Sequence, residues 1–344
     1  VRPLLDENMV LLDGENGCFV FMADVESDQA IKLLGSVQAG FSKTGDKSFS
    51  AGLASFPCGS FKRSAIPINA RKALQHTIFM GPSSITTFDG VSLNISGDYY
   101  YNEGDMNGAV REYLLGLELD EKGVNLLNSR GVAYVRLNRY KTAISCFEKV
   151  LDIEPDNFMA LFNLGSAWLT IDRDDLAVGF LEKALVVDDS IFDLYLQLAE
   201  LYCRAGCYQK VVDLLSAGGE APENREEWED ASALRCLGEA WYSLGEQDKA
   251  LECLEKACAY NPRDSRALSL LGEVYDVAGE GVDIALTLCN EAVDLDDGKW
   301  DNWLRLGRVL YRNGRKQESL LALQRSMKIN RFNLEAAMII KKIY

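Results

Sequence analysis

The stretch VNLLNSRGVAYVRLNRYKTAISCFEKVLDIEPDN, from Val124 to Asn157, decides the fold. Its large apolar residues recur at helical spacing, which predicts two amphipathic helices. Gly131 lies inside the first of them, although glycine costs roughly 1 kcal/mol relative to alanine within a helix, so we expect a close helix crossing there. Pro155 cannot continue a helical hydrogen-bond ladder and should end the second helix. The stretch therefore predicts a helical hairpin.

This hairpin is one copy of a repeat. The first three of its recurring glycines are 34 residues apart, an alanine continues the step, and the last three glycines follow at intervals of 39, 34 and 35. The seven positions are Gly97, Gly131, Gly165, Ala199, Gly238, Gly272 and Gly307. A period of this length indicates a solenoid, because one hairpin cannot bury its apolar face alone and must stack on its neighbours.

The residues at fixed offsets resemble the tetratricopeptide repeat (TPR) pattern. In the second copy they are Leu127, Gly131, Tyr134, Ala143, Phe147 and Pro155. The resemblance implies a mainly α fold, a TPR α-solenoid of about seven helix-pair repeats plus a closing helix, with a small N-terminal α/β segment. The expected domains are 1–89 and 90–344, with repeats near 90–123, 124–157, 158–191, 192–230, 231–264, 265–299 and 300–333 and a closing helix at 334–344.

The periodicity is different in the first 89 residues. Strand-like runs alternate with helical runs there, which indicates an α/β unit. The strand-like runs are CFVFMAD (Cys18 to Asp24), SFSAGLASFP (Ser48 to Pro57) and SSITTFD (Ser83 to Asp89), and the helical runs are SDQAIKLLGSVQAGF and SAIPINARKALQHTIFM.

Residues 4 to 90 resemble the C-terminal half of a GGDEF domain, the diguanylate cyclase fold. The run SAGLASFP, followed by a helix and a last strand, carries the likeness, and GENGC (Gly14 to Cys18) stands where that family has its signature hairpin. The family's acidic residues there hold magnesium, whereas this chain has Asn16 and Gly17. Leu5 and Asn8 replace the family's inhibitory-site Arg and Asp. The resemblance therefore implies a degenerate domain without cyclase activity, and an unrelated small α/β cap is the alternative.

Composition disfavours several classes of function. A net charge of -16 repels phosphate backbones, so no nucleic-acid partner is expected. No apolar run approaches the roughly 20 residues of a membrane helix, so no membrane partner is expected either. The single histidine, His76, and nine cysteines without zinc-type spacing argue against His-based catalysis and metal ligation. We expect a cytoplasmic protein with free thiols and no cofactor or metal, and not an enzyme.

Partner-binding residues are expected on the first helix of each pair. In the second repeat, Leu127, Gly131 and Tyr134 are needed for packing, which leaves another face of the same helix turned inward. The inward-facing set in the second to fourth repeats is Asn128, Val132, Val135, Phe162, Ser166, Leu169, Leu196, Glu200 and Cys203. Its apolar members would form a strip that binds a helix or an extended peptide. The alternative is that these side chains only close a tightly wound superhelix.

Three arginines in the last repeat form a second candidate site. Arg305, Arg308 and Arg312 are spaced to lie along one helical face. Such a face could receive an acidic peptide or a phosphate group, and a solvated face near the negative end of a helix is the alternative.

Two functions follow from these observations. The first is a non-catalytic scaffold for protein–protein interaction that binds a peptide or helix in the TPR groove. The degenerate GGDEF-like segment would connect it to bacterial cyclic-dinucleotide signalling. The alternative is the regulatory part of a diguanylate cyclase-like enzyme whose catalytic half lies upstream of Val1.

Overall fold

The computed structural model describes residues 9–13, 19–23, 25–42, 49–217, 227–279 and 281–344. The chain divides into two compact units, Val1–Ala177 and Val178–Tyr344. Both units are built mainly from helices, and the strands in the described residues all lie in the first unit.

The first unit begins with the expected α/β segment. Its elements are β1 (Met9–Asp13), β2 (Phe19–Ala23), α1 (Ser27–Ser42), β3 (Ala51–Leu53), α2 (Ile66–His76) and β4 (Ile85–Thr87). Strands β1 and β2 pair antiparallel, with Met9 opposite Ala23, and β3 pairs with β4 in parallel. The parallel pair needs a crossover connection, which α2 supplies. The sequence patterns predicted every one of these elements except β1.

The GENGC stretch connects β1 to β2 but lies outside the described residues, as do Leu5 and Asn8. The assignment of this stretch to a GGDEF-type signature therefore remains a prediction from sequence.

Helix pairs follow in both units and confirm the TPR α-solenoid fold. The first unit contains α3 (Gly90–Asn102), α4 (Met106–Leu119), α5 (Val124–Arg136), α6 (Tyr140–Ile153) and α7 (Phe158–Thr170), and the unit boundary falls within α8 (Asp174–Val187). The second unit continues with α9 (Phe192–Arg204), α10 (Tyr208–Ala217), α11 (Glu227–Ser243), α12 (Gln247–Tyr260), α13 (Ser265–Ala278), α14 (Val282–Leu295), α15 (Trp300–Arg312), α16 (Lys316–Ile329) and the closing helix α17 (Leu334–Ile343).

The helices of the first unit form two layers. The first helices of the pairs, α3, α5 and α7, contact one another in sequence, and the second helices α4 and α6 each pack against the next first helix. Buried apolar side chains join neighbouring repeats, as where Leu127 on α5 packs with Val150 on α6 and Ala160 on α7. The inner layer therefore presents one continuous face built from α3, α5 and α7.

The recurring glycine is a point of close approach between the two helices of a pair. A Cβ atom built on Gly131 would lie 2.4 Å from Cε1 of Phe147, and one built on Gly97 would lie 2.3 Å from Cε1 of Tyr113. Both aromatic rings are fully buried. The close approach of the two helices thus offsets the intrinsic cost of glycine in a helix.

Turn and cap residues set the helix bounds. The turns between paired helices contain a residue with positive φ. It is a glycine in the first and fourth repeats, Gly104 and Gly206, but Asn138 in the second repeat and Asp172 in the third. Asparagine and aspartate are the residues other than glycine that adopt this conformation most readily. At the other end, Asn157 caps α7 by accepting a hydrogen bond from the amide of Ala160. None of the helices that the structure describes combines the length and the apolar character of a membrane span.

Candidate functional site

A cleft of about 290 Å³ opens on the inner layer of the first unit, and it is called the polar cleft because most of its lining residues have polar side chains. Helices α3, α5 and α7 supply most of its wall, and α4 adds one tyrosine. The lining residues are Asn94, Asp98, Tyr101, Tyr113, Asn125, Asn128, Ser129, Val132, Met159 and Asn163. Four asparagines and a single ionisable carboxylate in one cleft form an arrangement suited to hydrogen bonding.

Asp98 is the charged group of this lining. Its Oδ1 accepts a hydrogen bond from the hydroxyl of Tyr113 at 2.7 Å, and its Oδ2 accepts one from Nδ2 of Asn94 at 3.0 Å. Burial raises the pKa of Asp98, although the hydrogen bond from Tyr113 lowers it. The same burial and the neighbouring carboxylate raise the pKa of Tyr113 well above its ordinary range. Asp98 is therefore a carboxylate partly removed from water and without a cationic partner among the lining residues.

A chain of hydrogen bonds sets the orientation of Asn128. Oδ1 of Asn157 accepts from the backbone amide of Ala160 at 3.0 Å, which identifies this atom as an oxygen. The atom of Asn128 that faces it at 3.4 Å must then be the donor Nδ2. Oδ1 of Asn128 consequently points elsewhere as a free acceptor.

Three amide atoms of the cleft have no hydrogen-bond partner. They are Oδ1 of Asn94, Oδ1 of Asn128 and Nδ2 of Asn163, and all three are shielded from solvent. A buried polar atom left without a partner costs about 1–3 kcal/mol. The cleft thus holds two acceptors and one donor whose pairing with an incoming group would be favourable.

The predicted inward-facing residues of the first unit are distributed over its inner layer. Asn128 and Val132 line the cleft, as the repeat pattern suggested. Val135, Phe162, Ser166 and Leu169 are half-buried on α5 and α7 but do not line it. The binding role of all six residues stays a prediction.

Sequence reasoning missed the polar character of this surface. Asn94 and Asp98 occupy in α3 the repeat positions that Asn128 and Val132 occupy in α5, which is 34 residues later. The predicted inward-facing set begins in the second repeat, and its offsets select Phe162 and not Asn163 in the third. Applying the same offsets to α3 would have found the carboxylate.

In the second unit the expectation of an inward-facing Leu196 is wrong. Leu196 is only 6% exposed and belongs to the core, because α9 packs against both α10 and α11. Cys203, expected to face inward as well, is equally buried. Glu200 is partly exposed but accepts a hydrogen bond from Nη2 of Arg235 at 2.7 Å. Arg235 also contacts Asp264, at 3.1 Å from its Nε. Glu200 therefore belongs to an ion-pair network.

The three arginines of the last repeat do not form a solvated face. The Arg305 side chain is buried, and its Nη1 donates to Asp301 at 3.1 Å. Arg308 and Arg312 both donate to Oε1 of Glu273, at 3.0 Å and 2.8 Å. Their role in partner binding stays a prediction, but each guanidinium group already has a carboxylate partner within its own unit.

The ion pairs around Arg235 and those around the three arginines of α15, together called the ion-pair network, make the stability of the second unit sensitive to acid. Burial raises the pKa of Asp301 and of Glu200, but neighbouring arginines lower both more strongly, so the net shift is downward from ordinary values of 3.8 and 4.5. A lowered pKa in the folded state adds stability that is complete above the ordinary value and is lost as pH falls through the folded value. We expect the urea midpoint of the second unit to be level from pH 7 to about 5 and to fall steeply below about 4. Urea titrations followed by tryptophan fluorescence measure this, and a level midpoint down to pH 3 would contradict the network.

No group of three or more histidine, cysteine, aspartate or glutamate side chains is placed to hold a metal ion within the ranges that the structure describes. The cysteines of those ranges are free thiols.

Comparison with known proteins agrees with the helical architecture. Residues 124–157 match a family model described as tetratricopeptide repeat, and residues 230–276 match one described as TPR repeat. A tetratricopeptide repeat protein from Parabacteroides merdae has the same fold, with a TM-score of 0.53 at 13% identity over 74% of this chain and 98% of that one. The Cut9–Hcn1 hetero-tetramer of the APC/C contains a chain with a TM-score of 0.55 at 15% identity, covering 73% of this chain and 48% of that one.

The relatives found by sequence match this chain over only part of their own length. BBSome complex member BBS4 of Bos taurus is 25% identical over 187 residues, which is 54% of this chain and 34% of that protein. The Hsp70-Hsp90 organizing protein of Triticum aestivum is 21% identical over 248 residues, which is 70% of this chain and 41% of that protein. The chain thus spans well under half the length of either relative. It contains tetratricopeptide repeats, a fold that generally binds proteins or peptides and is generally non-enzymatic.

Proposed function

We propose that the chain is a non-catalytic interaction scaffold whose first three repeats bind an extended peptide segment of a partner protein in the polar cleft. The unpaired amide atoms of Asn94, Asn128 and Asn163 carry this proposal. They come from three successive inner helices, so a ligand that satisfies all of them must run across the repeats.

An extended peptide matches the hydrogen-bonding capacity of the cleft. Its backbone offers both N–H donors and carbonyl acceptors along its length, and the cleft offers two free acceptors and one free donor. Apolar contact is also available, because Met159 lines the cleft and is 54% exposed. Main-chain hydrogen bonds combined with apolar side-chain contacts are a general mode of peptide recognition.

Binding should depend on the cleft amides. We expect the double change Asn128→Ala and Asn163→Ala to weaken binding of a degenerate pool of acetylated octapeptides by about tenfold, because each lost hydrogen bond contributes about 0.5–1.5 kcal/mol. Fluorescence anisotropy with a labelled pool measures the affinity, and circular dichroism checks that the helices are retained.

Asn107→Ala is the matched control, since Asn107 is an exposed asparagine on the outer helix α4. It should bind the pool as the unmodified chain does. Equal affinity for the double variant and this control would reject the cleft as the binding site.

A connection to cyclic-dinucleotide signalling is a second candidate function. The antiparallel register of β1 and β2, which ends with Asp13 opposite Phe19, supports it. Residues 14–18 join these two strands in the sequence, and GENGC stands there where the GGDEF family has its signature.

With Asn16 and Gly17 in that connection, we expect the chain to produce no cyclic di-GMP from GTP at any magnesium concentration. Carboxylates that hold the metal are needed for such a transfer. Chromatography of the nucleotide products tests this, and measurable turnover would restore the cyclase alternative. Binding of GTP or cyclic di-GMP by equilibrium dialysis is the separate test of a signalling role.

A reducing compartment such as the cytoplasm is part of the proposal. Cys203 on α9 contacts the backbone carbonyl of Cys236 on α11 at 3.8 Å, and both remain free thiols. Neighbouring thiols persist unoxidised where glutathione and thioredoxin keep them reduced.

A further inference from the structure

We propose that the polar cleft recognises one side chain of the bound peptide, an arginine, whose guanidinium group pairs with Asp98. This inference rests on the proposed function and names the chemistry of its ligand. Asp98 is the carboxylate of the cleft, and no lysine, arginine or histidine is among the lining residues. A cation is the group that a carboxylate in this position lacks.

The hydrogen bonds already made by Asp98 leave it able to accept more. Tyr113 donates to one oxygen and Asn94 to the other, whereas an ionised carboxylate has about four lone-pair sites. Because the two existing donors are neutral, the negative charge is stabilised but not balanced. An incoming cation supplies that balance through charge-assisted hydrogen bonds.

The acceptors around Asp98 favour a guanidinium group over an ammonium group. Oδ1 of Asn94 and Oδ1 of Asn128 are free acceptors, so a ligand inside the cleft meets several acceptors on different helices. Guanidinium carries five N–H donors in a fixed plane and is less strongly hydrated than an ammonium group. It can therefore reach more of these acceptors at once and loses less hydration on entry.

Tyr101 adds a flat surface at the same place. Its hydroxyl accepts a hydrogen bond from Nε of Arg136 at 3.0 Å, which fixes the ring from outside the cleft. Tyr101 lines the cleft together with Asp98. Guanidinium groups stack on tyrosine rings more readily than ammonium groups do.

Entry of the ligand requires a small movement of the amides. The free oxygens of Asn94 and Asn128 are shielded from solvent in the unliganded chain. The terminal torsion of asparagine is soft, so each amide can turn slightly toward a donor that enters beside it while its Nδ2 keeps its present partner, Asp98 for Asn94 and Asn157 for Asn128. The turn replaces an unpaired buried oxygen by a paired one, which favours the bound state.

The test uses pools of acetylated, amidated octapeptides that are random except at the fourth position. That position is fixed as arginine, lysine, or citrulline, which has the shape of arginine without its charge. We expect the full chain to bind the arginine pool at least about tenfold more tightly than the citrulline pool. Binding of the arginine pool should exceed that of the lysine pool by a smaller factor and should weaken with added salt.

Asp98→Asn should reduce the affinity for the arginine pool to that for the citrulline pool. This variant keeps an oxygen that accepts from Tyr113, and its new amide group can donate to Oδ1 of Asn94 once the Asn94 amide turns over. Its thermal midpoint should therefore stay close to that of the unmodified chain. Asp152→Asn, an exposed aspartate on the outer helix α6, is the control and should keep the preference.

Each other outcome is decisive. Equal binding of the arginine and citrulline pools by the unmodified chain overturns this inference but leaves peptide binding in place. A lysine pool that binds as tightly as the arginine pool overturns the choice of guanidinium. If none of the pools binds, both this inference and the proposed function fail. The comparison of pools on the unmodified chain stands even if Asp98→Asn does not fold.

Discussion

Replacing Glu273 by glutamine is expected to destabilise the second unit by about 3 kcal/mol. The Glu273 side chain on α13 is 1% exposed and lies within ion-pair distance of three arginines on α15. Removing one partner of a buried ion pair costs about 3–5 kcal/mol, because the remaining charges are left buried without compensation. The low end applies here, since Arg305 keeps Asp301 and Arg312 keeps Asp276.

Urea unfolding followed by tryptophan fluorescence measures this loss of stability, because the signal comes mainly from the second unit. Four of the five tryptophans lie in the second unit, at Trp228, Trp241, Trp300 and Trp303. Glu318→Gln is the matched control, because Glu318 pairs with Arg315 on the exposed side of α16. Exposed pairs contribute little, so that change should leave the midpoint unaltered. Equal midpoints for the two variants would mean that the network does not stabilise the unit.

Replacing Gly131 by leucine is expected to destabilise the first unit by about 1–3 kcal/mol. The new side chain would have to occupy the space of the buried Phe147 ring, since even its Cβ would lie 2.4 Å from that ring. Overpacking of this kind forces shifts of side chains and backbone that cost about 1–3 kcal/mol. Hydrogen–deuterium exchange of the amides of α5 and α6 should become faster, because local opening of the repeat requires less free energy.

Gly179→Ala tests the same reasoning with the opposite sign. Gly179 lies inside α8, is exposed, and has no atom within 4 Å of a Cβ built on it. Alanine there should stabilise its helix by up to about 1 kcal/mol through helix propensity. A Gly131→Leu chain with unchanged exchange rates would show that the recurring glycine is not needed for close packing.

The fold could be predicted from the sequence because the same helix-pair pattern recurs in successive copies. Six of the seven copies carry glycine at the recurring position, and in several of them it lies opposite a large buried side chain, as Gly131 is opposite Phe147 and Gly307 is opposite Leu323. Local helix signals and packing signals therefore agree in these repeats. Strand β1 was missed because a single short apolar run does not reveal its pairing partner.

The candidate site was harder to predict than the fold. Helical periodicity identifies which face of a helix turns inward, but it does not tell whether a neighbouring helix covers a residue on that face. Leu196 illustrates this, since it occupies the same repeat position as Asn128 and yet is buried in the core. The arginines of α15 show a second cause. Glu273 lies 35 residues before its partner Arg308, and Asp276 lies 36 residues before its partner Arg312. The pattern of a single helix gives no sign of such distant partners.

Photo-cross-linking locates the bound peptide and tests the central claim most directly. A degenerate octapeptide pool carrying a benzophenone group is irradiated with the full chain, and the modified residues are identified by mass spectrometry. Binding in the cleft predicts adducts on the inner helices α3, α5 and α7, with Val132 and Met159 as the apolar side chains nearest the peptide. Adducts confined to the outer helices α4 and α6, or to residues 178–344, would contradict it.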